Sequence, residues 1–399
     1  MTNPPNHFAA KPSSGSGLLA TRYSLPAASV NRAALLAGTA LALVTVIGIA
    51  IGSTALRHFD PALTGYAIGS LMAAFAVGYR FTIWGQRPPS RMYFRRGFEL
   101  YRRNPVAEVV RLWPKTSSHR PKSHDFGDET QSKPLSHGAG TLGYALARNF
   151  AAQEFIRRRS VYRWIMHLCL SGGCTLAFAI TFPLVFGWIH FEPLNGNAEM
   201  YRVVAFGIPV DSFSVHSLKA ELLFNALNIA GILVLVGLVL AAIRRLTDAG
   251  ERATQTFFED ILPLLLIFAV TVTGLALTVS YRYLEGRGHG LWAIVHMVSV
   301  VALLLFIPFG KLFHMFQRTC SLCVTRYQQV GAAGARAHCR CCGEDYASQM
   351  HVEDLKTVLD QLGFNYRYAG ARGDVHYQEI CPACRRRLLA LNQGETVGR

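Results

Sequence analysis

Two C-x-x-C pairs, Cys339/Cys342 in "CRCC" and Cys381/Cys384 in "CPAC", carry the most explicit chemistry in this 399-residue chain. About forty residues separate them. Thiolates from two short knuckles suit a tetrahedral four-sulfur metal site, since each knuckle turns backbone amides toward its own sulfurs. Zinc, an iron–sulfur cluster and a single iron ion all take such a donor set, and the spacing does not choose among them. Cys341 is a spare thiol, and His338 beside Cys339 is an alternative ligand. Cys320 and Cys323, in "CSLC", form a further pair, either a second metal site or interfacial thiols.

A second set of ligating side chains lies in apolar sequence. His296 and His314 close the run "HMVSVVALLLFIPFGKLFH", and His167 sits in "SVYRWIMHLCLSGGCTLAFAITFPL". Ionisable side chains at membrane depth are costly, so they face the protein interior and usually serve a function. On one continuous helix, residues 18 apart are five turns apart, on the same face and separated by about 27 Å. Neutral imidazoles at such positions in a helix bundle suit the axial ligation of haem b. His167 follows the basic run Arg157–Arg159 by about two turns, which puts it level with His314, and Gly172 and Gly173 leave room for a flat macrocycle. The alternative for each histidine is a polar side chain hydrogen-bonded between helices. His119, His124 and His137, in the polar stretch 115–142, have no ligand-like spacing and read as solvated loop histidines.

The elements that must position these groups are membrane helices. The chain is 51% hydrophobic and 16% charged, whereas soluble domains are about a quarter charged. Apolar runs near 33–56, 62–85, 162–189, 219–243, 259–281 and 290–315 are each long enough to cross about 30 Å of hydrocarbon. The net charge of +16 is distributed by topology and does not point to nucleic acid: residues 86–163 hold sixteen Lys/Arg against six Asp/Glu, and 191–216 hold one basic residue, Arg202. Basic loops stay cytoplasmic, so both termini are expected in the cytoplasm of a bacterial cell, with the chain multi-pass in the inner membrane. The segment "RMYFRRGFELYRR" (91–103) is basic and amphipathic and suits contact with lipid headgroups. The expected organisation is a disordered tail (1–32), two spans (33–85), a basic cytoplasmic loop (86–161), a four-helix core (162–316) and a cysteine-rich domain (317–399). The fold class is an all-α integral membrane protein, an antiparallel haem-binding bundle with a small cysteine-rich cytoplasmic C-terminal domain.

The run "HMVSVVALLLFIPFGKLFH", with its histidine spacing, Pro308, Phe309 and Lys311, resembles the last helix of the respiratory nitrate reductase gamma subunit. That family is a dihaem cytochrome b and quinol-oxidising membrane anchor, with relatives in heterodisulfide-reductase-like and sulfite-reduction-linked complexes. The similarity covers roughly 62–316. It implies one haem held by His167 and His314, and a second held by His296 with a histidine ten residues after His167. That position is Ala177, a departure from the family pattern; His58, His190, His216 and His289, all expected near the outer face, are the candidates to replace it. The resemblance also implies a quinone contact at Lys219, which otherwise reads as an interfacial lysine. "CCGEDY" and "CPAC" resemble the knuckles of rubredoxin and zinc ribbons, with a longer separation and an amphipathic helix, "VEDLKTVLDQLGF", between them.

Together these features lead to the expectation of a cytochrome b subunit that exchanges electrons between quinone and a cytoplasmic-side partner. That partner would be an iron–sulfur protein, a hydrogenase or a molybdenum enzyme, and this chain would not be the catalytic subunit. The competing expectation is a haem-free transporter or sensor with a zinc-stabilised cytoplasmic module.

Overall fold

The computed structural model describes residues 27–103, 150–194, 197–364, 366–368 and 374–397. Most of the expected N-terminal tail, the stretch 115–142 and its three histidines lie outside these residues. Six helices are long and apolar enough to cross a membrane, as the hydropathy pattern predicts. The residues fall into two compact units. One comprises 33–82 and 142–317, the other 83–141 and 318–399 together with the N-terminal residues.

The first unit is a helical bundle. Helix α1 (Ala27–Gly52) begins ahead of the expected boundary and is followed by α2 (Thr64–Gln86). The α1 side chains Leu36, Val44, Ile47 and Ile51 are all exposed. A helix apolar on every side has no water-facing stripe, which is the pattern lipid contact requires. Glycines set the helix spacing: a Cβ on Gly38 would lie 2.8 Å from the Phe75 carbonyl oxygen, and one on Gly78 would lie 2.9 Å from that of Ala37. The pair α4 (Val161–Val185) and α5 (Leu218–Thr247) packs by the same device. There a Cβ on Gly173 would meet the Ala230 carbonyl oxygen at 2.9 Å, and one on Gly237 the Leu170 nitrogen at 2.7 Å. Gly173 therefore serves close helix packing and does not make room for a macrocycle. Helices α6 (Leu262–Tyr283) and α7 (His289–Phe306) complete the bundle. Val234, Leu238, Ile267 and Leu303 form one buried cluster, against which Leu170 and Leu312 also pack.

The last apolar run is not one helix. The chain leaves the α conformation after Phe306, turns through Pro308, makes a single 3₁₀ turn at Lys311–Phe313 and starts a separate short helix at His314. Pro308 has no N–H to donate, and Phe309 and Gly310 both donate back to the Phe306 carbonyl instead. Gly310 is required there, since a Cβ would lie 2.2 Å from the Phe306 ring. His296 and His314 therefore do not share a face of one continuous helix, and the five-turn, 27 Å relationship does not apply. Arg80 of α2 donates to the Pro308 carbonyl, and its guanidinium lies 4.5 Å from the centroid of the Phe313 ring.

The all-α expectation needs one addition. Between α4 and α5 runs an antiparallel meander of β1 (Ile189–Leu194), β2 (Asn197–Ala205) and β3 (Ile208–Ser214). Phe206 and Gly207, both at positive φ, make the tight β2–β3 turn. The Trp188 indole at its entrance donates to the Gly48 carbonyl at 2.8 Å and fastens this end to α1.

In the second unit, α3 (Ser90–Arg103) belongs with the C-terminal segment. Gly97 brings α3 against Cys323 of α8 (Ser321–Ala333). Arg96 Nη2 lies 2.9 Å from Asp354 Oδ1, and Tyr327 donates to Asp354 Oδ2 at 2.7 Å. Asp354 is carried by α9 (Gln349–Gln361), and its burial stands on these two partners. The hairpin of β4 (Arg336–His338) and β5 (Asp345–Ser348), the two-residue strands β6 (Arg367–Tyr368) and β7 (Val375–His376), and α10 (Pro382–Val397) complete the module.

Candidate metal and cofactor sites

Cys339 follows β4, Cys342 lies in the β4–β5 turn, and Cys381 and Cys384 flank the start of α10. Their four sulfurs lie within 4.8 Å of one another, and Cys342 Sγ is 3.8 Å from Cys381 Sγ. Each knuckle is shaped by its backbone. Gly343, at φ 79°, lets its N–H reach the Cys339 carbonyl, while Cys339 N–H donates to the Glu344 carbonyl. Backbone N–H groups of Cys341 and Cys381 point at Cys339 Sγ at 3.4 and 3.2 Å, and that of Cys384 points at Cys381 Sγ at 3.4 Å. Burial alone would raise the Cys339 thiol, but the N–H groups of Cys381, Cys342 and Cys341 outweigh it and bring it down to about 7. Burial and the neighbouring thiols push Cys384 upward. Four thiolates this close repel one another, so full deprotonation requires a cation among them. A metal ion with bonds to sulfur of about 2.3 Å sets sulfurs about 3.8 Å apart along a tetrahedral edge. The 3.8 Å between the Cys342 and Cys381 sulfurs matches such an edge, and the four sulfurs all lie within 4.8 Å of one another.

Cys341 is exposed and not one of the four mutually close sulfurs, although its thiol reaches that of Cys384. His338 pairs with Asp345 on the surface. Cys320 and Cys323 lie at the start of α8, their thiols raised by burial. Among the described residues they join no metal-ligand group.

In the bundle, the three singled-out histidines have one feature in common. His167 Nδ1 lies 2.7 Å from Gln153 Oε1, and Gln153 Nε2 donates to Ser171 Oγ at 2.7 Å. The Ser171 hydroxyl is already spent on the His167 carbonyl, so it accepts from the amide. That fixes which amide atom faces the ring and makes His167 Nδ1 the donor. His296 Nδ1 lies 2.9 Å from Thr273 Oγ1, whose proton goes to the Ala269 carbonyl, and Gly274 leaves space for the imidazole. His314 Nδ1 donates to the Lys311 carbonyl at 2.7 Å. Each ring is the Nδ1–H tautomer, with Nε2 as its basic nitrogen. The ring beside His296 is Tyr66, at 6.3 Å, and position 177 is alanine within α4.

Lys219, at the start of α5, pairs with Asp211 and lies 5.5 Å from the Phe213 ring centroid. Its ammonium is thus held at the meander end of the helix. His58 and His190 stack on each other.

Sequence reasoning missed Gln153, Thr273 and Arg80. Gln153 stands in a left-handed conformation, 6% exposed, at the turn before α4. A glutamine directly ahead of the basic run was its only signal.

The chain is 26% identical over 200 residues to the E component of dihydromethanophenazine:CoB–CoM heterodisulfide reductase from Methanosarcina thermophila, covering 47% of this chain and 67% of the relative. It is 25% identical over 170 residues to the same component from Methanosarcina barkeri, covering 41% and 59%. The matched stretches thus span about two thirds or less of those relatives. No family model matches the chain. No solved structure matches it. The likeness is to a subunit of a redox complex in general, and it does not single out the nitrate reductase gamma subunit.

Proposed function

We propose that this chain is a membrane cytochrome b subunit that transfers electrons between the quinone pool and a partner oxidoreductase. The observation that carries this reading is the shared state of His167, His296 and His314, each with Nδ1–H committed to an oxygen acceptor. Metal-bound histidines have this arrangement, because the acceptor fixes the tautomer and the ring plane and raises the basicity of the ligating nitrogen. The donor set fits haem b, which supplies a one-electron centre when bound.

In this reading His167 and His314 would hold one haem, with Gln153 and the Lys311 carbonyl orienting their rings. His296, oriented by Thr273, serves a second haem whose other ligand does not come from position 177. Lys219 is the proposed quinone contact, and a quinone carbonyl there would compete with Asp211 for the ammonium. The basic 86–163 segment supports a cytoplasmic position for both termini in a bacterial inner membrane. There the tail docks an iron–sulfur protein, a hydrogenase or a molybdenum enzyme. The four-cysteine group holds zinc as a structural staple for this small module. The two Methanosarcina relatives, from a complex whose name couples a dihydromethanophenazine to a heterodisulfide, support a role in electron transfer as one subunit of a redox complex.

A reduced-minus-oxidised visible spectrum of the purified protein tests the reading. A sharp b-type α band is expected, and a pyridine haemochrome assay gives one or two haems per chain. His167→Ala and His314→Ala each lose the same haem, while His296→Ala keeps it. A protein with zinc but no α band would instead be a haem-free membrane protein with a zinc module.

A further inference from the structure

The α1–α2 connection and the meander bring together three side chains that the proposed function leaves unused. His58 stacks on His190 of β1, with ring centroids 4.5 Å apart and planes 13° from parallel. His190 Nε2 lies 3.1 Å from Glu192 Oε1, two residues along the strand and therefore on the same face. One nitrogen of each imidazole and one carboxylate oxygen all lie within 4.8 Å of one another. They open on a cleft of about 220 Å³ bordered by Thr54, Arg202 and Gly207.

Two further observations single this cluster out. His190 Nδ1 is buried without a hydrogen-bond partner, although buried polar atoms are nearly always satisfied. The loop that delivers His58 is also strained: Thr54, Ala55 and Leu56 have φ of 51°, 55° and 67°, and none is glycine. Ser53 holds this turn, its Oγ accepting from Leu56 N–H at 3.0 Å and its carbonyl accepting from His58 N–H at 3.1 Å. Strain of this kind persists where the surroundings fix the backbone in place, and here the backbone so fixed is the one that carries His58 to the meander.

We propose that His58, His190 and Glu192 bind one divalent transition-metal ion of the zinc class, the exposed His58 ring turning out of the stack so that the in-plane lone pairs of both imidazoles converge on the ion. Two imidazole nitrogens and one carboxylate match the ligand preferences of zinc and its neighbours, whereas calcium and magnesium prefer oxygen throughout. Arg202 stands opposite Glu192 in the β1–β2 register and borders the same cleft. Its charge opposes any cation, so binding must come from the nitrogen ligands rather than from net attraction. Three protein ligands leave a coordination position open toward the cleft. The ion ties the α1–α2 connection to the meander, two segments far apart in sequence.

The test uses the full chain in detergent, isolated with its cysteine tail metal-loaded and freed of loosely held metal by gel filtration. Titration with zinc sulfate against a chromophoric zinc indicator should give the native protein one equivalent more than His58→Ala. Glu192→Gln, which preserves shape, should weaken that equivalent ten-fold or more. X-ray absorption of the added zinc should show nitrogen and oxygen neighbours and no sulfur. Equal zinc uptake by all three proteins, or sulfur in the shell of the added ion, overturns the site. So does loss of a b-type absorption band from His58→Ala with zinc uptake unchanged, since the histidine would then be a haem ligand. Both substituted side chains are surface-accessible, so the test does not depend on the more buried His190.

Discussion

The Arg80 guanidinium donates to the carbonyl of Pro308, 228 residues along the chain, at the point where the last span stops being helical. A proline break in an apolar segment exposes carbonyls that lipid cannot satisfy. Here a cation from a neighbouring helix satisfies one, and the Phe313 ring covers the same guanidinium.

Arg80→Leu should therefore destabilise the bundle by about 1.5–3 kcal/mol, the usual worth of a hydrogen bond to a charged group. Thermal or denaturant unfolding in detergent reads this directly. Arg80→Lys should recover only part, because an ammonium lacks the planar fork. A Leu variant as stable as the native chain would show that the break is satisfied some other way.

On the proposed haem assignment, Gln153 acts through the His167 ring whose Nδ1–H it accepts. Gln153→Ala removes the acceptor for Nδ1–H and should lower haem affinity ten- to hundred-fold, the usual effect of losing a ligand's orienting partner. Gln153→Glu keeps an acceptor and makes it anionic, so it should retain haem and lower its midpoint potential. Redox titration of the α band distinguishes the two, and an unchanged potential in the Glu variant would remove Gln153 from the site.

Asp354 serves two partners in the unit that joins α3 to the tail. Asp354→Ala leaves the buried Tyr327 hydroxyl and the half-exposed Arg96, which keeps Glu99, without it and should cost about 1.5–3 kcal/mol, the worth of a hydrogen bond to a charged group. Tyr327→Phe removes one neutral donor and should cost about 1 kcal/mol. Proteolytic susceptibility of the tail reports the difference. Similar protection in both variants would mean that the pair is not what fastens α3 to α9.

The tail thiols should divide by metal protection. In metal-loaded protein, alkylation should reach the exposed Cys341 first and spare Cys339, Cys342, Cys381 and Cys384. Chelation should release those four together and lower tail stability, because metal binding at such sites is folding free energy. Mass spectrometry of the labelled peptides gives the answer, and labelling of the tetrad in the presence of metal would count against a four-sulfur site.

The legible parts of the chain are those written in local pattern. The six apolar runs declare their helices because lipid contact demands length and composition and little else. The two C-x-x-C pairs declare their grouping because a knuckle is a local turn. The meander has a local signal too: Phe206–Gly207 sits between alternating apolar residues, in a segment whose position between two spans reads as a loop. The break at Pro308 has none, since proline is tolerated in many spanning helices. What ends this one is Gly310 against Phe306 and a guanidinium from α2, a tertiary arrangement that no window of sequence contains. Gln153 is hidden for the same reason, because its left-handed turn acquires meaning only beside His167 and Ser171.

The bundle's helices are of unequal length, and this has a consequence for the host membrane. Leu218–Thr247 has 30 residues and is about 45 Å long, while His289–Phe306 has 18 and is about 27 Å long. Against about 30 Å of hydrocarbon, the first is long enough to tilt and the second falls slightly short. Hydrophobic mismatch of this kind is relieved by thinning the bilayer or by drawing the segment after Phe306 into it. With Arg80 already on the Pro308 carbonyl, the second route is the less costly. Acyl-chain length is therefore a physical handle on the surroundings of His314, and short- and long-chain lipids should present that histidine at different depths.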